Sequence, residues 1–241
     1  MTWRTISSNP INIAVVSYLR EQTKSLCRPI RSDYADYIHQ NLTNKSVLDI
    51  GCVEHDRSHW ESSRWKHKIL SKFARRLVGV DILKDDIETL CSMGYDIRHM
   101  DATGGGYLGE VFDYVVIGDV IEHVNNPVDL LRFAARHLDS ESDGAVFVMT
   151  PNPFYWRYFF RSAINGVMVE NAEHVRWITP CNALEMAERS QLRLRSYRPL
   201  TSRRALFNPI YWVLRLLSRR EPEVFAAQYV FEFALPPKVS I

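Results

Sequence analysis

Paired metal-ligand cysteines are missing from this chain. Cys27, Cys52, Cys91 and Cys181 form no C-x-x-C spacing. They fit reduced, mostly buried thiols, and a cytoplasmic location is the expectation. Long hydrophobic runs are missing too. No segment approaches the apolar length of a membrane span, and the region around Arg4 has no apolar stretch long enough for a secretory signal. An excess of one charge is also lacking. Thirty basic residues stand against 28 acidic ones, a net +2, which gives no electrostatic footprint for nucleic acid, and no nucleic-acid partner is expected. Neither internal repeats nor low-complexity segments occur.

What is present is an ordinary globular composition, 46% hydrophobic and 24% charged over 241 residues, enough to bury a substantial core in one domain with insertions. Residues 1–45 read as a helical segment. Ser32 and Asp33 can cap a helix carrying Tyr34, Tyr37, Ile38 and Leu42. From 46 onward the pattern changes to short apolar runs with turn residues at their ends. Strands are expected at 47–51, 77–82, 95–100, 113–118 and 145–149, with helices at 59–76, 84–93 and 127–138 between them. A helix at 182–190 and strands at 192–197 and 228–235 follow. Alternating strands and helices predict an α/β fold: a doubly wound, mainly parallel seven-stranded sheet, Rossmann-like, closed by a C-terminal antiparallel pair. The domain at 46–241 carries two insertions, at about 154–176 and 203–223.

In such a sheet, ligands bind beyond the carboxyl ends of the strands. Gly51 ends the first strand and lets backbone approach a ligand closely. Asp81 ends the second, where a carboxylate can accept from ribose hydroxyls. Asp101 follows the third and can meet an adenine amino group. Asp119, Glu122 and His123 follow the fourth. No G-x-G-x-x-G follows the first strand, which disfavours an NAD oxidoreductase.

Several motifs occur in order: Val47-Leu48-Asp49-Ile50-Gly51-Cys52, Val80-Asp81-Ile82, Asp101-Ala102, and Phe112-Asp113-Tyr114-Val115-Val116. Val120-Ile121-Glu122-His123-Val124 with Asn126-Pro127, and Thr150-Pro151-Asn152-Pro153, come after them. Over about 46–197 the chain resembles class I S-adenosylmethionine-dependent methyltransferases. Within that class it is similar to the subgroup of ubiquinone-biosynthesis O-methyltransferases and methyltransferases of glycan and lipopolysaccharide pathways. The resemblance implies S-adenosyl-L-methionine as cofactor, held by Asp49, Gly51, Cys52, Asp81, Ile82, Asp101, Ala102 and Asp119. It implies methyl transfer to a hydroxyl of a small molecule or of a glycan or glycolipid precursor. One departure stands out: where the family has a second glycine, this chain has Val53, which resists positive φ. That residue favours the alternative reading, a catalytically inactive methyltransferase-like binding or regulatory protein.

Several roles stay open at the level of sequence. Asp49 orients the cofactor loop or amino group, or caps local backbone. Asp81 and Asp101 have plainer readings as a helix cap and a turn residue. His123 and His174 are the candidate catalytic residues, one as a base near the methyl donor and the other facing the acceptor; each also fits a structural or surface role. Asp119, Glu122 and His123 match positions that bind a divalent ion in some ubiquinone-pathway relatives, but a structural network is the favoured reading and no metal is expected. The aromatics Phe154, Tyr155, Trp156, Tyr158, Phe159 and Phe160 form a lid over the acceptor or pack on the sheet. The segment 206–220, apolar and flanked by Arg219 and Arg220, suits a membrane surface, core packing or a homodimer interface, with packing favoured.

Overall fold

The first apolar run, Ser46–Ile50, becomes β1, an interior strand of a seven-stranded sheet. The computed structural model describes residues 2–28, 37, 40–201, 205, 207–218 and 222–237. The proposed cap and face at Ser32, Asp33, Tyr34 and Ile38, along with Arg203, Leu206, Arg219 and Arg220, lie outside the described residues.

The other strands are β2 Arg76–Asp81, β3 Ile97–His99, β4 Tyr114–Gly118, β5 Ala145–Pro151, β6 Arg193–Thr201 and β7 Ala226–Ala234. Their order is β3-β2-β1-β4-β5-β7-β6. β1 pairs in parallel with both β2 and β4, so the strand order reverses there and the ligand-binding crevice opens at its carboxyl end. β7 runs antiparallel to both β5 and β6 and closes the sheet.

The described helices are α1 Ile13–Leu26, α2 Lys66–Leu70, α3 Lys84–Ser92, α4 Pro127–Arg136, α5 Trp156–Asn165, α6 Pro180–Arg189 and α7 Pro209–Ser218. Local chemistry sets several of their starts. Asn126 caps α4 by accepting from the Val128 N–H, with Pro127 at the first helical position. Thr179 and Asn182 form a reciprocal capping box that starts α6 at Pro180, two residues before the helix expected from the sequence.

Alternate residues of the central strands face opposite layers. Leu48, Ile50, Val115 and Ile117 pack with Leu130, Phe133 and Met186 of α4 and α6. Val47, Val116 and Phe147 pack with Tyr37, Leu42 and Leu70 on the other side. Burial on both faces explains the nearly continuous apolar runs. The N-terminal segment is fastened to the same body, since the Arg28 N–H donates to the Tyr197 carbonyl at 2.8 Å and the Trp3 indole donates to Glu185 at 3.0 Å.

One expected element is corrected. The long helix at 59–76 does not form. A 3-10 turn at Arg57–Glu61 is followed by a break and then by the short α2. Ser62 ends the first piece by accepting the Arg64 N–H on its hydroxyl at 3.1 Å, a local bond that competes with helix. Beyond it, Trp65, Lys66 and His67 each bond a distant strand end, and those tertiary bonds fix the chain across the sheet edge.

Candidate active site

Gly51 leaves β1 with φ +71°, and a Cβ built there would lie 2.1 Å from Val120 Cγ2. The position therefore needs glycine on two counts, backbone conformation and space. The same contact brings the 119–123 segment after β4 directly against the turn after β1.

On the adjoining strand, Asp81 is buried at the end of β2. Its Oδ2 accepts the Val53 N–H at 2.9 Å, and its Oδ1 accepts those of Ile82 at 2.7 Å and Leu83 at 3.2 Å. Burial pushes its carboxyl up from the ordinary value, opposed by these three donors. A carboxylate offers about four acceptor positions, so capacity remains for a hydroxyl. Ile82, next in line, is 63% exposed and presents an apolar platform at the edge. Val53, the departure from the glycine pattern, keeps negative φ and packs inward with Trp60 and Trp65. Its side chain is thereby stowed in the core, and its N–H ties the β1 turn to Asp81.

Two other expected residues lie below this edge. Asp49 is buried, with Oδ2 2.8 Å from His67 Nδ1. Cys52 turns its thiol inward toward the Val80 carbonyl at 3.9 Å, and burial raises its pKa well above the usual thiol range. Only its backbone is available, and the carbonyl accepts the Trp65 indole N–H at 2.8 Å. Gly79, opposite Asp49 in the register, makes room for this layer, because a Cβ there would sit 2.6 Å from Cys52 Sγ. Asp101 takes its turn-residue reading at Oδ1, which accepts from the Thr103 N–H and hydroxyl, both at 2.7 Å. Those bonds hold its carboxyl below the ordinary value. Ala102 is buried beside it.

After β4 the set expected from sequence divides. Asp119 adopts φ +58° and pairs with Lys66, while its Oδ1 accepts from Gln228 Nε2 at 3.0 Å. Both its oxygens are thus bonded, and the ligand-type atoms that converge are not those of the Asp119, Glu122 and His123 alternative. His174, from the far end of the first insertion, takes the third place. Ligand-type atoms of Glu122, His123 and His174 lie within 4.8 Å of one another, a group that can hold a metal ion. The His123 and His174 rings meet edge to face at 4.8 Å. His174 Nε2 is 3.9 Å from Glu122 Oε1, and the Val175 N–H donates to the Glu122 carbonyl at 3.0 Å.

Glu122 is 1% exposed. Thr150 donates to its Oε2 at 3.0 Å, whereas Oε1 and His174 Nδ1 are buried without a hydrogen bond. Burial, reinforced by Asp119, pushes the Glu122 carboxyl up to about 7. Burial and the neighbouring His174 hold His123 below its ordinary value, so its ring is neutral at neutral pH. Sequence reasoning missed Lys66, His67, Thr150 and Gln228 as members of this edge. Thr150 was marked by its place at the end of β5; the others had no signal short of the fold.

Comparison with known proteins agrees with this geometry. A family model described as a methyltransferase domain matches residues 19–197. The chain belongs to the class I S-adenosylmethionine-dependent methyltransferases. A ubiquinone biosynthesis O-methyltransferase of Aliivibrio fischeri (strain MJ11) is 24% identical over 190 residues, covering 72% of this chain and 76% of that protein. One from Hydrogenovibrio crunogenus is 24% identical over 204 residues, with 79% and 77% covered. Among solved structures, a SAM-dependent methyltransferase from Archaeoglobus fulgidus aligns with TM-score 0.55 at 16% identity, covering 90% of this chain and 94% of that one. The last of these is a likeness of fold.

The methyltransferase's cofactor is S-adenosylmethionine, and the residues present fit it. Gly51 clears the backbone, Asp81 retains an acceptor position at the edge, and Ile82 supplies an apolar surface beside it. Asp81→Ala is expected to weaken S-adenosylhomocysteine binding by about 1–3 kcal/mol, measured by calorimetry. Unchanged affinity in a folded variant would remove Asp81 from the cofactor site.

The Glu122 pKa also carries a stability signature. The folded value, about 7, lies above the ordinary 4.5, so the folded state binds the extra proton. Stability is fully present below about pH 4.5 and declines by about 3 kcal/mol as pH rises through 7. Glu122→Gln is expected to flatten that part of the pH–stability curve in denaturant titrations. An identical pH dependence in both proteins would rule out a raised carboxyl there.

Proposed function

We propose that this methyltransferase O-methylates a hydroxyl of a small molecule or of a glycan or glycolipid precursor, with His123 as proton acceptor. The supporting observation is the Glu122–His123–His174 cluster, seated beside Gly51 through the Gly51–Val120 contact. When bound, S-adenosylmethionine supplies an electrophilic methyl carbon on a sulfonium.

This chain's part is to place an acceptor oxygen in line at about 3–3.5 Å and to keep water away. His123 Nδ1 faces Glu173 Oε2 at 3.7 Å, which leaves Nε2 to receive the hydroxyl proton. His174 holds the His123 ring edge-on, and Glu122 backs His174. The end of the first insertion walls this site through His174 and Val175. Its aromatic part, by contrast, is largely turned outward: Phe159, Phe160 and Ile164 are exposed, so the lid reading rests on the 174–177 end. All four cysteines are reduced thiols, but only Cys52 is buried: Cys27 is half-buried and Cys91 and Cys181 are exposed, against the expectation of mostly buried thiols. Exposed reduced thiols suit a reducing, cytoplasmic setting. Among the described residues, no helix is long and apolar enough to cross a membrane.

The test is S-adenosylhomocysteine production from S-adenosylmethionine with hydroxyl acceptors and their amino analogues, with and without a chelator. Turnover on hydroxyls that survives chelation supports the proposal. Activity lost on chelation and restored by a divalent ion would give the cluster to a metal instead. Tight cofactor binding with no turnover on any acceptor would favour the inactive binding protein.

A further inference from the structure

One charged pair at the carboxyl edge plays no part in proton transfer. Lys66, the first residue of α2, reaches over the end of β4 and pairs with Asp119. Gly118 makes room for its stem, since a Cβ there would lie 3.2 Å from Lys66 Cδ and 3.5 Å from Nζ. Asp119 holds a φ of +58°, uncommon for any residue with a side chain and kept only where the surroundings impose it. Here they do. The Asp119 N–H donates to the Met149 carbonyl at 3.0 Å, and Gln228 donates to Oδ1, also at 3.0 Å. Neither side chain is sealed in the core, as Lys66 is 26% exposed and Asp119 32%. A partly exposed ion pair contributes little to stability, and His67 and Trp65 also hold this segment to the sheet. Tethering alone gives a poor reason for a strained aspartate at this point.

The chemistry of the methyl donor gives a better one. S-adenosylmethionine ends in an α-amino acid, with a carboxylate and an ammonium on one carbon. Its recognition takes a cation and an acceptor side by side. Gly51, Asp81 and Ile82 supply no cation. Position agrees with charge. Asp81 ends β2 and faces the ribose, His123 follows β4, and β1 lies between those strands. The donor sulfur is bonded both to the ribosyl carbon and to the amino-acid arm, so a methyl group aimed toward His123 leaves the arm at the ends of β1 and β4. Lys66 and Asp119 stand there. Their charges reach the reaction cluster, since Asp119 pushes the Glu122 carboxyl up and Lys66 pulls it down.

We propose that Lys66 is a specificity-determining residue that takes the carboxylate of the methyl donor's amino-acid arm, while Asp119 accepts from its ammonium. Each side chain then exchanges its present partner for a ligand group of the same charge. Gln228 keeps Asp119 in place as Lys66 swings away, and the lysine stem has only the bare Gly118 backbone beneath it. The pair thereby selects the complete donor over nucleosides that lack the arm. This inference rests on the cofactor and not on which atom accepts the methyl group.

The test is calorimetry on the full chain with three ligands and no acceptor: S-adenosylhomocysteine, its decarboxylated analogue and 5′-methylthioadenosine, which has no amino-acid arm. The native protein is expected to bind S-adenosylhomocysteine at least about tenfold more tightly than the decarboxylated analogue. Lys66→Met is expected to weaken S-adenosylhomocysteine about tenfold to a hundredfold and to leave the other two within about twofold. Lys66→Arg, which keeps the cation, should restore most of the preference. The proposal is overturned if Lys66→Met weakens all three ligands equally, since the lysine then only tethers α2, or if it weakens none. Equal native affinities for S-adenosylhomocysteine and its decarboxylated analogue would overturn it as well, whether or not any variant folds. Turnover on hydroxyl acceptors is untouched by that outcome, so failure here is distinct from failure of the O-methylation reading.

Discussion

Replacing His123 with alanine is expected to cut kcat by about 10²- to 10⁴-fold, the usual contribution of a positioned general base, while S-adenosylhomocysteine affinity stays near native. The expectation rests on protonation state as much as on place. Burial and His174 keep the His123 ring below its ordinary pKa of 6.5, so the base is ready at neutral pH and the rate falls only in acid. In the proposed arrangement His174 and Glu122 act through His123, so their variants should separate from it kinetically. His174→Ala releases the ring that meets His123 edge-on at 4.8 Å, so kcat should fall less than in His123→Ala. Glu122→Gln keeps an acceptor for Thr150 but removes a group that titrates near 7. Its signature is a simpler pH–rate profile, which a merely structural change would not produce. A folded His123→Ala enzyme with native kcat would exclude His123 as the proton acceptor.

The division between what the sequence discloses and what it conceals follows sequence distance. Gly51 and Asp81 are legible because strand ends are punctuated locally, by an apolar run and the residue that stops it. The parallel order follows from the same punctuation, and so does the antiparallel closure. The Glu122–His123 pair is legible as a motif, but its partner His174 comes from an insertion about fifty residues on, and no periodicity links them. The pairing of Asp119 with Lys66 is concealed for the same reason, since 53 residues separate them. The failed helix at 59–76 is a third case. Trp65, Ile69, Leu70 and Phe73 can share a helical face, yet bonds from Trp65, Lys66 and His67 to strand ends outweigh that local preference. Val53 stands out in the sequence because a β-branched residue resists the positive φ a glycine would allow, and the backbone there does not take a positive φ. Its side chain packs inward.

The second large effect is expected from Asp49 and His67, a pair buried beneath the cofactor turn with side chains 4% and 2% exposed. His67→Ala leaves the Asp49 carboxylate buried without its partner, a change that costs about 3–5 kcal/mol. In a chain of this size that is a drop of roughly 6–20 °C in thermal midpoint. Asp49→Asn keeps an acceptor for the imidazole and avoids the buried charge, so it should cost much less. The double variant Asp49→Ala/His67→Ala should lose less than the sum of the two singles, because the second substitution removes the group orphaned by the first. The consequence reaches function. α2 is held to the sheet by His67 on Asp49, by Lys66 on Asp119, and by the turn just before it, where Trp65 donates to the Cys52 carbonyl. Releasing one of these three lets the Gly51–Glu54 turn move relative to Asp81. S-adenosylhomocysteine affinity in His67→Ala should therefore fall even at temperatures where the protein remains folded, and stay low when Asp49→Asn is added, since that change relieves the buried charge but does not restore the tether. Additive single and double variants in denaturant titrations would show that the pair is not coupled. Native affinity in a destabilised His67→Ala protein would show that the pair supports the core alone and not the cofactor turn.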